Sequence, residues 1–281
     1  MDDILRLGYS PCPNDTFIFF ALAEGRIPLE SCRLDVTLAD VEALNHLARE
    51  KTLDVTKVSI HAILHLLDDY WLLRSGGAIG RGCGPLIVAR EKLTMRDLRD
   101  RPVAIPGKMT TACLLLQMEG THRGPRIAMP FDRIMDAVNQ GEADAGVIIH
   151  EGRFTYASRG LRMVLDLGEW WEKETGLPLP LGGILMKRDL GAEKARHFEN
   201  RIRESLLYAR MHPLEAWPYI ERHAQEMAPD VIRRHIDMFV NDFSLDVGNE
   251  GEKAVNFMLE AASGQEGFPL SPKPVFRTGP R

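Results

Sequence analysis

The sequence predicts an α/β protein with two lobes around a ligand cleft. Three observations point to it. Strand-like and helix-like segments alternate from the start, a second run of alternation begins near residue 96, and the chain beyond Gly191 reads as helix almost throughout. Strands and helices repeating at this interval imply parallel pairing with crossover helices.

Residues 5–10 have the apolar and aromatic pattern of a short strand, which ends in the turn-rich SPCPND before the apolar FIFFALAEG. Pro11 and Pro13 disfavour helix immediately before them, while Asn14 or Asp15 can cap the helix that follows. A second unit is a strand over 33–38 and a helix over about 40–49. A third is DVTKVSI followed by a helix from near Ser59, with Ile60, Ile63, Leu64 and Leu67 at helical spacing. The glycine-rich stretch at 76–84 reads as an inter-strand turn, because it carries neither a dinucleotide fingerprint nor a phosphate-loop ending. After PLIVAR we expect a short helix in TMRDLRD, then the strand RPVAIPG and the helix MTTACLLLQMEG. FDRIMDAVNQGEAD is amphipathic, with Ile134, Met135 and Val138 able to face a sheet, and AGVIIH is the next buried strand. GGILMKRDLG returns the chain to the first lobe. The crossings are expected near 90–98 and 178–188, giving a discontinuous first lobe of 1–95 and 182–281 and a second of 96–181. Helices at 192–210, 213–227, 229–240 and 250–262, divided by Pro213, Pro229 and the NDFSLD turn, are expected to cover the first lobe. The tail GFPLSPKPVFRTGPR is poorly ordered or hugs the surface.

Composition excludes several function classes. With 35 basic and 40 acidic side chains the net charge is −5, which gives no electrostatic argument for nucleic acid or an anionic membrane. The longest apolar stretch, IHAILHLL, is far short of the roughly 20 residues that span a bilayer. The start, MDDILRLGYS, lacks the basic and apolar regions of a signal peptide, so a cytoplasmic location is the expectation. Cys12, Cys32, Cys83 and Cys113 show no CxxC spacing, which suggests neither a zinc knuckle nor a redox dithiol.

Ligands of open parallel sheets collect beyond the carboxyl ends of the strands. Three junctions qualify here: SPCPNDT at 10–16, KVSIH at 57–61 and PGKMTTA at 106–112. Each offers backbone N–H groups at a helix start, and Ser59, Thr110 and Thr111 add hydroxyls, a combination that suits a carboxylate without a metal. Plain helix capping accounts for such residues equally well. His150, at the end of AGVIIH, points from a buried strand into the same region, where a neutral imidazole can accept a proton. Its bland alternative is a histidine that only hydrogen-bonds its loop. His61 and His65 lack the glutamate of a zinc-protease helix and read as packing or surface residues. His197, His212, His223 and His235 lie among charged residues on faces read as solvated, and no compact metal-ligand set emerges. Trp170 and Trp171 either pack a lobe junction or cover an aromatic substrate.

LGYSPCPNDTFIFFAL, KVSIHA, the TTA of GKMTTA, GEADAGVIIHEGRFTY and LPLPLGG together resemble the 1,4-dihydroxy-6-naphthoate synthases of the futalosine route to menaquinone. The resemblance runs from the first strand to the return segment. It implies a periplasmic-binding-protein-like fold working in the cytoplasm. The implied activity is that of a carbon–carbon lyase, which converts cyclic dehypoxanthinyl futalosine to 1,4-dihydroxy-6-naphthoate and dihydroxyacetone without metal or organic cofactor. By resemblance His150 is the proton acceptor, while Lys57, Val58, Ser59, Thr110 and Thr111 match substrate-binding segments. Asn14 and Asp15 match the opening loop of the motif, with no certain chemical part.

Other classes compete. A non-enzymatic receptor for small carboxylates would use the same lobes, and a metabolite-sensing regulator would need a DNA-binding module that is not evident. The chorismate dehydratase of the same route shares the architecture, and VIIHEGRFTY argues against it. The partner expected is a small carboxylated aromatic substrate, with monomer and homodimer both compatible.

Overall fold

The structure, a computed structural model, describes residues 3–29, 32–225 and 228–277. The first lobe contains β1 (Asp3–Tyr9), α1 (Pro13–Ala23), β2 (Cys32–Leu38), α2 (Val41–Arg49), β3 (Val55–Ser59), the single turn α3 (Ile60–Ile63), β4 (Tyr70–Leu72) and β5 (Ala78–Gly80). The second contains β6 (Leu86–Ala89), β7 (Val103–Ile105), α4 (Thr111–Glu119), β8 (Arg126–Ala128), α5 (Ile134–Gln140), β9 (Ala145–Ile148), α6 (Gly152–Thr155), β10 (Arg162–Asp166) and α7 (Leu167–Thr175). The chain returns through β11 (Leu179–Lys187) and ends in α8 (Ala192–Met211), α9 (Pro213–His223), α10 (Pro229–Phe239), α11 (Asp242–Leu245) and α12 (Gly248–Glu266).

The first sheet runs β2-β1-β3-β11-β4, with β5 also paired to β11, and the second runs β10-β6-β9-β7-β8. β1 is parallel to both β2 and β3, as strand–helix alternation requires. β11 lies antiparallel to β3 with Gly182 opposite Ser59, which brings the return strand beside the third junction. β6 pairs with β9 and β10, so the chain changes sheets between Gly80 and Leu86, ahead of the 90–98 expected from sequence. Every residue of β6 is buried, and such a strand shows no alternation that could assign it to one sheet or the other. The glycine-rich stretch holds β5 itself in addition to turns.

The helix expected in TMRDLRD is absent. Thr94 and Asp97 bond each other instead: Asp97 Oδ2 accepts from Thr94 N at 2.8 Å and from Thr94 Oγ1 at 2.7 Å, and turns follow up to Asp100. α9 stops at His223, short of the expected 227, and Glu226 and Met227 lie outside the described residues. NDFSLD closes into the one-turn α11, where Asn241 caps Phe243 N and Ser244 Oγ answers Asn241 N. The tail hugs the surface as far as Arg277: Leu72 N donates to Val275 O at 2.9 Å and Phe276 is buried, while residues 278–281 lie outside the described set.

α1 is buried on all sides, with every residue from Pro13 to Leu22 covered, because α8, α9 and α10 pack around its apolar part and its first turn faces the cleft. Val58, Ile60 and Leu185 of the first lobe share one apolar cluster with Val103, Leu114 and Val147 of the second and with Met258 of α12. Each such side chain contributes about 1.5–3 kcal/mol when removed from water, so this cluster ties the lobes together beneath the cleft.

Candidate active site

A cleft opens between the sheets. Ser10, Asn14, Asp15, Lys57 and Ser59 line it from the first lobe, and Thr110, Thr111, His150 and Arg153 from the second. Apolar walls come from Val41, Ile149, Leu181 and Phe239. Gly182 lines it too, and a Cβ there would stand 2.9 Å from Val58 O and 3.0 Å from Lys57 Cε, so only glycine leaves the lysine its place.

The first-lobe floor is a closed polar network. Lys57 Nζ donates to Asp15 Oδ1 at 2.7 Å, both side chains being almost wholly buried. Asp15 also accepts from Asn14 Nδ2 at 2.8 Å, Ser10 N at 3.1 Å and Ser10 Oγ at 2.8 Å, which fills its lone-pair sites. The capping role expected of Asn14 or Asp15 is therefore not taken: the helix start is Cys12, which makes no side-chain cap, and Asp15 is spent on the ion pair. Asn45, fully buried on α2, accepts from Ser59 N at 2.9 Å, which removes that backbone donor from ligand binding. Ser59 Oγ makes no cap and stays at the cleft wall.

On the second lobe Thr110 takes the bland role. Its Oγ1 donates to Gly107 O at 2.8 Å and accepts from Cys113 N at 3.2 Å. Thr111 Oγ1 donates across the lobes to Leu181 O at 2.7 Å. Both hydroxyl protons are thus committed, and the donors left at the head of α4 are backbone N–H groups of Thr111 and Ala112, which have no intrahelical acceptor. Arg153 donates to Asp166 Oδ2 at 2.6 Å and to Gly84 O at 2.7 Å, a fixed cation at the cleft's edge.

His150 lies two residues beyond β9, with Ile149 between, and not at the strand's last position. Its φ of 55° places it in the left-handed region, at a cost of about 1 kcal/mol for a non-glycine residue, and turns its ring back toward the cleft. Nε2 is covered by protein and has no hydrogen-bond partner among the described residues, although the ring's edge reaches the cleft. Burial lowers the imidazole's pKa from 6.5 to about 4, with Asp15 working in the opposite direction, so the ring is neutral at pH 7.

A family model described as menaquinone biosynthesis matches residues 5–264. The 1,4-dihydroxy-6-naphtoate synthase of Thermus thermophilus is 50% identical over 274 residues, covering 98% of this chain and 99% of the relative. The chain belongs to the menaquinone-biosynthesis family. Among solved structures, protein AF1704 of Archaeoglobus fulgidus superposes with a TM-score of 0.88 at 34% identity, covering 95% of this chain and 98% of that one. The periplasmic aliphatic sulphonate binding protein SsuA of Escherichia coli superposes at 0.67 with 14% identity, covering 99% and 91%, a likeness of fold alone. The two-lobed architecture of this family member is that of the periplasmic binding proteins.

Of the residues singled out from sequence, His150, Lys57, Ser59, Thr110, Thr111, Asn14 and Asp15 meet at this one cleft. Val58 does not: its side chain is wholly buried in the shared apolar cluster, because successive strand residues point to opposite faces. Trp171 is likewise in the core, donating Nε1–H to Pro178 O, and does not line the cleft. His61 is packed, with Nε2 at 2.5 Å from Glu266 and His65 at 2.9 Å from the same carboxylate. Among the described residues no cluster of three metal-ligating side chains occurs.

His235 corrects the sequence reading, which placed it on a solvated face. It is fully buried, with Nε2 at 3.0 Å from Asn14 Oδ1. The signal was present: Val231, Ile232, His235 and Phe239 form the buried stripe of α10 at helical spacing, and the histidine lies within that stripe. Asn45 and Arg153 were missed, and Ser10, inside the first junction, was not singled out. Asn45 reaches Ser59 and Arg153 reaches Gly84 and Asp166 across elements that no local pattern links, whereas Ser10 bonds Asp15 five residues on.

Proposed function

We propose that this chain converts cyclic dehypoxanthinyl futalosine to 1,4-dihydroxy-6-naphthoate with loss of a dihydroxyacetone fragment, and that His150 is the proton acceptor. The observation that carries the reading is a neutral imidazole whose buried Nε2 is uncommitted, set in a cleft whose other polar groups are anchored. The substrate's carboxylate would sit between the backbone donors of Thr111 and Ala112 and the Lys57 ammonium, favoured by the positive end of α4. A pKa near 4 makes His150 a weak base on its own. An anionic substrate close by stabilises the imidazolium and moves that value toward working pH, which places the base's strength under substrate control. Water displaced from the cleft strengthens these fields further.

Among the described residues no helix is long and apolar enough to cross a membrane. A cytoplasmic site of action fits the buried thiols of Cys12, Cys83 and Cys113, which burial pushes up in pKa and so keeps protonated. Incubating the purified protein separately with cyclic dehypoxanthinyl futalosine and with chorismate, followed by mass detection, tests the activity. The naphthoate is expected from the first and no dehydration of the second. Chorismate turnover would move the chain to the dehydratase class, and naphthoate binding without turnover would make it a receptor.

A further inference from the structure

The floor network extends past the ion pair to a residue that does not touch the cleft. Asn14 Nδ2 is committed as a donor to Asp15, so Asn14 Oδ1 faces His235, and that bond requires the proton on His235 Nε2. His235 is held by Phe239 at 4.7 Å and Phe154 at 6.5 Å between ring centroids, and its ring lies nearly parallel to that of His150, 6.1 Å away. We infer that His235 is a positioning residue for the cleft: its Nε2–H holds Asn14, Asn14 holds Asp15, and Asp15 aims the Lys57 ammonium at the bound anion. The inference rests on the functional reading above for the identity of that anion.

Orientation of the Asn14 amide decides the effect. An amide has two faces of opposite character, and a carboxylate with every lone pair used tolerates only the donor face. Without a donor at position 235, Asn14 Oδ1 is buried with nothing to accept from, and a flipped amide is no remedy because it would set oxygen against the carboxylate, so the side chain recovers a partner only by moving off its place beside Asp15. Asp15 then loses a donor, and the lysine it shares must shift. The effect belongs to anion binding, because Lys57 contacts the carboxylate in both ground and transition states, and loss of such uniform binding raises KM and spares kcat. The C-terminal helices thereby take part in the site through α10, in addition to covering α1.

The test is steady-state kinetics on the cyclic substrate for His235→Phe, His235→Gln, Asn14→Ala and the double variant Asn14→Ala with His235→Phe, each checked for native fold by thermal melting. His235→Phe is expected to raise KM about tenfold with kcat within about threefold of wild type. Glutamine, whose amide can supply the donor, should stay within about threefold on both constants. The double variant should fall within about threefold of Asn14→Ala alone, since links of one chain do not add. A folded His235→Phe enzyme with wild-type KM overturns the inference, as do multiplicative losses or a folded His235→Gln variant with KM raised as in phenylalanine. If the phenylalanine variant does not fold, His235→Met takes its place under the same criteria. Calorimetric binding of 1,4-dihydroxy-6-naphthoate separates this from the activity. A wild type that binds the naphthoate without turnover defeats the proposed reaction, while the variants' Kd still decides the role of His235. A wild type that binds neither molecule defeats both.

Discussion

The two walls of the cleft differ in how completely their polar atoms are used. On the first-lobe floor, Asp15 accepts from four donors and Lys57 and Asn14 are each tied to it. Across the cleft, His150 keeps a buried Nε2 with no partner among the described residues, on a backbone turned to positive φ. A saturated network resists reorganisation and so supplies fixed charge, whereas an unsatisfied nitrogen retains the capacity to take up a proton. The division assigns fixed charge to the floor and proton uptake to His150, with the head of α4 sharing in the binding of the anion.

The strongest way to break this contrast is to unbalance the floor. Lys57→Met should cost about 3–5 kcal/mol of unfolding free energy, because it leaves the Asp15 carboxylate buried without its cation. Denaturant titration measures it, and a loss under about 1 kcal/mol would mean that the floor is not the rigid half.

The opposite wall can be sharpened by pH. The unfolded imidazole of His150 titrates near 6.5 and the folded one at about 4, so between these values the unfolded chain binds more protons and stability falls as pH drops. The loss is complete below about pH 4 and amounts to about 3 kcal/mol. His150→Phe should lose correspondingly less stability than wild type on acidification from pH 7 to 4, leaving the slope from His235, whose pKa burial also lowers, in place. Equal acid slopes in the two proteins would show that His150 is not desolvated as described.

The smallest effect is expected at Thr110. Its Oγ1 caps α4, so Thr110→Ala should cost about 1 kcal/mol of stability and leave KM near wild type, while Thr110→Ser restores the stability. A large rise in KM with unchanged melting temperature would return the hydroxyl to substrate binding.

What could be read in advance was what local pattern encodes. β7 and β9 form apolar runs closed by turn residues, and the junctions after β3 and β7 sit where parallel strands end, so Ser59, Thr110 and Thr111 were found from position, while Lys57 was singled out by the family resemblance. The sheet that holds β6 was not legible, because its pairing with β9 joins residues some sixty positions apart and its side chains are apolar on both faces. The division of labour among hydroxyls was equally hidden. Thr110 caps and Ser59 does not, while Asn45 of α2 accepts from the Ser59 backbone N–H. His235 was misread because charged neighbours outweighed its place in the stripe of α10.

In the proposed reaction His150 takes the proton while Lys57 and the head of α4 hold the anion. Comparing His150→Gln with wild type for naphthoate affinity by calorimetry and for single-turnover rate with the cyclic substrate tests it directly. We predict affinity within about threefold and a rate lower by about 10²–10⁴-fold, the usual contribution of a positioned general base. A variant that binds normally and turns over near the wild-type rate would contradict it.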